Sequence, residues 1–236
     1  MRIVFYSNSR GKLLALEWLQ ELRWRAAYQY VHSAATLLEL GAQGRALGPP
    51  VSRHLADGLH ELRPLVGDRP VPMLYFFHGD DAVVLGAARN GRNPLPVALL
   101  VRACRHRREF ERNPHGRSHD PDPDAGGSDG LERLEQLTGF DPKLRERIDE
   151  ERLALQVAQA ACLFRARGRA VEDMLEFHTG LGRGTLAGLE RGELRTQAVA
   201  RLQRIARRLD LDVRLVLVPR PPDGRRRQVA GIAKLR

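Results

Sequence analysis

The stretch from residue 112 to residue 130 constrains the fold of this 236-residue chain more than any other feature. Its sequence is R-N-P-H-G-R-S-H-D-P-D-P-D-A-G-G-S-D-G, which has no large apolar side chain that could anchor a core. Segments rich in Pro, Gly, Asp and Ser form loops and linkers. A chain of this length also suits two domains. The sequence therefore predicts globular parts at residues 1–112 and 131–218, joined by a flexible, solvated linker at 113–130.

The chain is basic, with a formal net charge of +10. Residues 1–115 carry a net +6 and residues 131–236 a net +7, whereas the residues between them carry −3. Only three of the 39 basic residues are lysine. Because guanidinium groups bind phosphates in a bidentate geometry, nucleic acid is the expected partner. The alternative explanation is a genome that encodes arginine wherever a basic surface residue is tolerated.

Composition argues against several other classes of protein. The longest apolar runs are far shorter than the ~20 residues of a membrane helix, and residues 1–12 lack the apolar core of a signal peptide. Two cysteines are too few for a disulfide framework or a four-cysteine zinc site. His60-Glu61 begins like a zinc-protease motif, but Pro64 stands where the second histidine would be. We expect a cytoplasmic protein with no metal, no cofactor and no membrane partner.

The first half mixes strand and helix patterns. Residues 2–6 predict a strand, and apolar residues at helical spacing between 13 and 40 predict helices that Gly41 and Gly44 end. The remaining elements predicted here are strands at 58–65, 71–78 and 81–88, with a hairpin turn after His78, and a helix at 95–111. The expected fold is a small α+β domain with a meandering antiparallel sheet.

Three motifs of this half resemble those of the RelE/HigB toxins, in particular the phage-derived subgroup of that family. They are G-L-H-E-L-R at 58–63, M-L-Y-F-F-H-G at 73–79 and V-V-L-G-A-A-R-N-G-R-N-P at 83–94. The resemblance covers residues 1–112. It implies a small endoribonuclease that cuts messenger RNA, commonly within the ribosome, and that uses basic side chains on the sheet instead of a metal.

The resemblance also assigns the catalytic residues. A 2′-hydroxyl attacks the adjacent phosphorus, and arginine or lysine neutralises the charge that grows on the phosphoryl oxygens. Arg63 would hold the scissile phosphate, while Arg89 and Arg92 would hold the RNA backbone. Glu61 shares a strand face with Arg63, two residues away, and would orient its guanidinium. The structural alternative is a solvated edge arginine paired with a surface glutamate.

One position departs from the family pattern. An arginine usually precedes the aromatic strand, where this chain has Val71-Pro72. Pro72 has no N–H for a ladder hydrogen bond, so it is expected at an edge or at the start of a strand. RNA binding without cleavage is therefore the alternative to RNA cleavage.

The second half has a helical pattern. Asp141-Pro142 predicts the start of a long helix over residues 145–167, with Leu153 on its apolar face. Shorter helices are predicted at 171–177, 184–189 and 197–209. The run from Val213 to Val218 predicts a strand, and a basic tail at 219–236 follows.

Two segments of this half resemble the Xre, or lambda-repressor-like, helix-turn-helix family. They are L-E-R-G-E at 189–193 and R-L-Q-R-I-A-R-R-L-D-L-D at 201–212, within a match over residues 148–218. The resemblance implies an all-α helix-turn-helix domain that binds operator DNA. Arg183, Thr185 and Arg191 are the predicted DNA contacts, because Arg binds guanine and Thr binds a phosphate or the thymine methyl. The alternative is a helix-turn-helix fold that pairs with another protein surface.

In chain order the two resemblances predict a toxin–antitoxin fusion, in which a HigA-type half folds back over a HigB-type half. The partners would be messenger RNA and the ribosome for the first half, and operator DNA for the second. The alternative is a transcriptional regulator whose toxin-like domain is degenerate and non-catalytic. Two chains would then pair as a homodimer through the strand from Val213 to Val218. A third hypothesis is a general RNA-binding protein.

Overall fold

The computed structural model describes residues 1–64, 71–88, 95–119, 129–139 and 141–166, with only the backbone at 157, 160, 161 and 163–166. The strands are β1 (Arg2–Phe5), β2 (Ser52–His54), β3 (Leu59–Leu62), β4 (Met73–His78) and β5 (Asp81–Ala87). The helices are α1 (Leu14–Arg25), α2 (Ala27–Gln43), α3 (Val97–Arg112), α4 (Gly130–Thr138) and α5 (Pro142–Ala166).

The five strands form one mixed sheet in the order β1-β5-β4-β3-β2. Strands β2 to β5 are antiparallel neighbours, but β1 is parallel to β5, with Ile3 opposite Ala82. The predicted antiparallel sheet is therefore wrong. The reason is the connection after β1: helices α1 and α2 carry the chain across the sheet, and such a crossover permits parallel pairing where a hairpin turn does not.

The hairpin strands lie close to their predicted positions. β4 and β5 are joined by a turn in which Gly79 has φ +56°, a left-handed conformation that suits glycine. β3 is shorter than predicted, so Arg63 follows the strand, although its N–H still donates to the carbonyl of Val51 at 2.7 Å. β2 was not predicted, because three residues are too short for a periodic pattern.

Helices cover both faces of the sheet. On one face, Phe5, Tyr75 and Val84 belong to a hydrophobic core with α1, α2, α4 and α5. On the other face, Phe76 and Val83 pack under α3. Because successive strand residues alternate between faces, Glu61 lies on the α3 face and His60 on the face of the other four helices.

The predicted end of α2 is correct at Gly44, which has φ +57°, and wrong at Gly41, which lies inside the helix. A Cβ on Gly41 would be 2.6 Å from Cδ1 of Leu131. Glycine here therefore leaves room for the Leu131 side chain of α4 and does not end the helix.

Both described ends of the predicted linker are bonded to β1. The N–H of Phe5 donates to Nδ1 of His119 at 3.1 Å, and the N–H of His119 donates to the carbonyl of Phe5 at 2.9 Å. Asp129 accepts from the N–H of Ile3 and from the N–H of Leu131 at the start of α4, both at 3.0 Å. These residues satisfy the edge of β1 that β5 leaves open.

Helix α5 packs against α2. The helix was predicted, and the Asp141 side chain accepts hydrogen bonds from its first turn. Leu155 is 1% exposed in the same core as α2. Arg152 donates to Glu39 of α2 at 2.8 Å. Over the described residues the predicted fold class, two separate units of which the second is all-α, is replaced by one α+β unit with a shared core.

The other predictions for the second half concern residues outside the described ranges. These include the predicted helices from 171 to 209, the DNA contacts Arg183, Thr185 and Arg191, and the strand from Val213 to Val218.

If α5 belongs to the core of the sheet, truncating a buried α5 side chain should destabilise the whole unit. We expect Leu155→Ala to lower the free energy of unfolding by about 2–5 kcal/mol, measured by urea denaturation with tryptophan fluorescence. The control is Val101→Ala on α3, where the side chain is 63% exposed and the expected change is below about 0.5 kcal/mol. An unchanged transition in Leu155→Ala would show that α5 is not part of this core.

Candidate functional site

A buried glutamate lies between two arginines at the β2–β3 edge of the sheet. Glu61 has a side chain only 5% exposed. Arg53, directly opposite in β2, donates to Oε2 of Glu61 from Nε at 3.0 Å and from Nη2 at 2.6 Å. Nε of Arg63 lies 3.8 Å from Oε1 of Glu61. Two guanidinium groups therefore share one carboxylate, which leaves one positive charge in excess.

The two arginines are held to different degrees. Arg53 makes two hydrogen bonds to Glu61, whereas 3.8 Å between Arg63 and Glu61 is an ion pair and too long for a hydrogen bond. Within the described part of the chain no hydrogen bond to the Arg63 guanidinium is found, and its side chain is 30% exposed. Arg63 therefore keeps its guanidinium donors for an incoming anion, whereas Arg53, which is 43% exposed, uses two of its five N–H donors on Glu61.

The predicted site residues are only partly placed. Glu61 and Arg63 lie together, as expected from their spacing, and their catalytic role stays a prediction. Arg89 and Arg92 lie outside the described residues. Pro72 is buried immediately before β4, where its carbonyl accepts from the N–H of Ala88 at 2.8 Å. That position therefore starts a strand and offers no basic side chain.

A second polar cluster lies on the opposite face of the same hairpin and was missed from the sequence. The rings of His54 and His60 have centroids 5.1 Å apart, across the β2–β3 ladder. His60 also contacts Tyr75 and Phe77, at 5.1 and 5.0 Å. Arg45 lies over Phe77, with Cζ 4.4 Å from the ring centroid. The signal that was missing is β2, without which His54 has no cross-strand partner.

The surroundings of His60 favour its neutral imidazole. Burial lowers the pKa of His60 below its ordinary 6.5, and the nearby His54 and Arg45 act in the same direction. Burial likewise raises the pKa of the Tyr75 hydroxyl, against a hydrogen bond with Ser52 that lowers it. The Ser52 and Tyr75 hydroxyls are 2.7 Å apart. This face thus offers imidazole and aromatic rings flanked by Arg45, whereas the Glu61 face offers guanidinium and carboxylate groups.

Comparison with known proteins assigns the chain to no family. No model of a known protein family matches the chain, and no curated protein matches it significantly. In the described ranges, no three His, Cys, Asp or Glu side chains are grouped so that they could hold a metal ion. Nor does any helix there combine the length and the apolar character needed to cross a bilayer. The described site offers arginine, carboxylate and imidazole groups.

The lowered pKa of His60 predicts a pH dependence of stability. The unfolded chain protonates this imidazole near pH 6.5, and the folded protein does so only at lower pH. The unfolded state therefore binds more protons below about pH 6.5, and stability falls as the pH is lowered. We expect unfolding free energy to be lower at pH 5.5 than at pH 7.5, and His60→Gln to reduce that difference by up to about 1 kcal/mol.

The matched control for this measurement is His115→Gln, because His115 is exposed. Its substitution should leave the difference between the two pH values unchanged. If His60→Gln kept the full pH dependence of the unsubstituted protein, His60 would not be the group responsible.

Proposed function

We propose that this chain is a toxin–antitoxin fusion whose described part is a metal-independent endoribonuclease acting on messenger RNA in the cytoplasm. The observation that carries the proposal is the partly exposed guanidinium of Arg63 beside the buried Glu61. A guanidinium with unused donors is suited to two oxygens of one phosphodiester. The carboxylate limits where that guanidinium can lie, so the phosphate would meet a positioned group.

The reaction would be a transfer within the RNA strand. The 2′-oxygen forms a bond to the adjacent phosphorus while the bond to the 5′-oxygen of the next nucleotide breaks. The proton of the 2′-hydroxyl goes to that 5′-oxygen, and the products are a 2′,3′-cyclic phosphate and a 5′-hydroxyl. Arg63 would neutralise the charge that develops on the non-bridging oxygens. Glu61 would act as a positioning residue, since Arg53 occupies one of its oxygens.

The order of elements supports the same proposal. The resemblance to RelE/HigB toxins implies a strand, two helices, a meander of strands and a helix, and the described chain has that order with the additional strand β2. The G-L-H-E-L-R motif lies on and just after β3, and the aromatic motif lies on β4. Fold alone does not determine activity, so the arginine cluster remains the principal argument.

The proposal extends to DNA through the second half. Arg183, Thr185 and Arg191 would contact an operator, as their resemblance to the Xre-type proteins implies. The two binding activities would then belong to one polypeptide. Operator binding would allow the chain to regulate its own synthesis.

A second candidate function is favoured by Pro72. Its ring stands where the resemblance implies a basic residue that assists cleavage, and the described cluster of Arg53, Glu61 and Arg63 contains no histidine to act as a general base. A transcriptional regulator that binds RNA at this edge without cutting it would need neither feature. Both candidates require Arg63 for RNA binding, and only the first requires it for cleavage.

The experiment is an RNA cleavage assay on the full chain, with messenger RNA in a reconstituted translation reaction and with free RNA in EDTA. We expect cleavage by the unsubstituted protein, and Arg63→Ala to slow it by about 100-fold or more, because one lost donor to a developing oxyanion has that effect. His54→Gln, on the other face of the hairpin, is the matched control and should cut at the normal rate.

The outcomes separate the candidates. Cleavage that is insensitive to Arg63→Ala contradicts the proposed site. If only His54→Gln abolished cleavage, the catalytic groups would lie on the histidine face. If the unsubstituted protein cuts neither the messenger RNA nor the free RNA, yet Arg63→Ala weakens RNA binding, the proposal of a non-catalytic regulator is correct.

A further inference from the structure

A cavity of about 390 Å³ opens between α1, α3 and the end of β5. β1 pairs with β5 only from Asp81 to Val84. The last residues of β5 continue beyond that pairing, and a register shift opposite Leu74 and Tyr75 marks the same place. β-bulges are frequent beside functional sites, where they redirect side chains.

The cavity has apolar walls with polar groups that converge on it. Trp18 of α1, Leu85 of β5 and Leu99 of α3 provide apolar surface, while Glu17 of α1 and Arg102 and His106 of α3 provide the polar groups. An apolar concavity with a few convergent polar groups is the usual form of a small-molecule site. Its volume lies near the lower end of the range for such sites, about 300–1,000 Å³, so the ligand should be small.

The three polar groups have different hydrogen-bonding capacities. An ionised Glu17 only accepts hydrogen bonds, and Arg102 only donates them. A neutral His106 donates from one ring nitrogen and accepts at the other. Glu17 and Arg102 are both exposed, and no ion pair between them is found within the described chain. Glu17 and Arg102 therefore do not satisfy each other's hydrogen-bonding groups across the cavity.

His106 is held in a defined orientation. Its ring stacks on Tyr6 with centroids 4.7 Å apart and an interplanar angle of 20°. The Tyr6 hydroxyl donates to Oε2 of Glu109, one turn of α3 further on, at 2.5 Å. Burial lowers the pKa of His106, in spite of Glu109 nearby, and Arg105 and Arg102 add to the lowering. A flat, neutral ring is thus fixed in the wall of the cavity.

The geometry points to recognition of a purine base of RNA in this cavity, with guanine preferred. Guanine presents N–H donors on its Watson–Crick edge, which an acceptor such as Glu17 would bind, and O6 and N7 acceptors, which suit Arg102. The planar base would lie against Trp18 and the apolar side chains, since aromatic surfaces bind every base through its face. Adenine lacks the paired donors and the pyrimidines fill less of the volume.

This inference deepens the proposed function, on which it rests for the RNA context. Ala88 and Pro96 also line the cavity. In the sequence they bracket Arg89 and Arg92, which the resemblance assigns to the RNA backbone. A base in the cavity would belong to the same strand that those arginines are expected to hold.

The test is nucleoside binding by the full chain, followed by tryptophan fluorescence. The chain has two tryptophans, and Trp24 is 80% exposed, so the Trp24→Phe background reports on Trp18 alone. The probes are guanosine, 3′-GMP, adenosine, cytidine and ribose 5-phosphate. We expect guanosine and 3′-GMP to quench Trp18 with similar affinity, adenosine to bind about tenfold more weakly, and ribose 5-phosphate not to compete.

Two variants test the polar groups in that background. Glu17→Gln and Arg102→Gln should each weaken guanosine binding by at least about tenfold, the lower end of the range for a lost hydrogen bond to a charged group. Arg108→Gln, which is exposed on the same helix as Arg102 and does not line the cavity, should bind normally. All three positions are at the surface, so equal urea transitions are expected, and calorimetry gives a second measure of binding.

The inference is overturned if no nucleoside binds, if all bind equally, if ribose 5-phosphate competes, or if both variants bind guanosine normally. These outcomes are independent of RNA cleavage. Guanosine binding without cleavage would refute only the proposed nuclease, and cleavage that needs Arg63 without guanosine binding would refute only the base site.

Discussion

The hydrogen bonding of β1 on both of its edges is the constraint on which the described fold depends. One edge pairs in parallel with β5. The other edge is satisfied by His119 and Asp129, which bond to Phe5 and Ile3. Because an unpaired buried backbone group costs about as much as a lost hydrogen bond, a chain that ended before these residues would leave the strand unsatisfied. The polar segment after α3 is therefore structural at its described ends, and Asp129 continues from β1 directly into α4.

The β2–β3 hairpin separates two chemistries by the alternation of its side chains. Glu61 and Arg53 point to the α3 face, where two guanidinium groups surround a carboxylate. His54 and His60 point to the opposite face, among aromatic rings. Removing the Glu61 carboxylate would leave two arginines that repel each other at a partly buried edge. Removing one partner of a buried ion pair is costly because it leaves such uncompensated charge. Guanidinium and carboxylate groups on one face and imidazole rings on the other thus lie back to back, and a single phosphodiester could not contact both faces at once.

Local features could be predicted from the sequence, and long-range features could not. β4, β5 and their turn were predicted almost to the residue, because alternation and a glycine turn are properties of neighbouring residues. The helix beginning near Asp141 was predicted for the same reason. The parallel pairing of β1, the interior position of Gly41 and the existence of α4 were missed, since each depends on partners far along the chain. The Glu61–Arg63 pair followed from strand parity, but Arg53 required β2, and the cavity required three separate elements.

The position of α5 limits how the second half of the chain could inhibit the proposed nuclease. α4 and α5 pack on the α2 side of the sheet, where the Glu151 carboxylate lies with Oε1 2.5 Å from Nδ1 of His32 in the interior. Arg63 and Glu61 lie on the side of α3. These two helices therefore do not cover the arginine cluster, although they stabilise the sheet that carries it. Any effect of α4 and α5 on the proposed activity would act through the stability of the shared core, because in the described structure both helices lie on the face opposite Arg63.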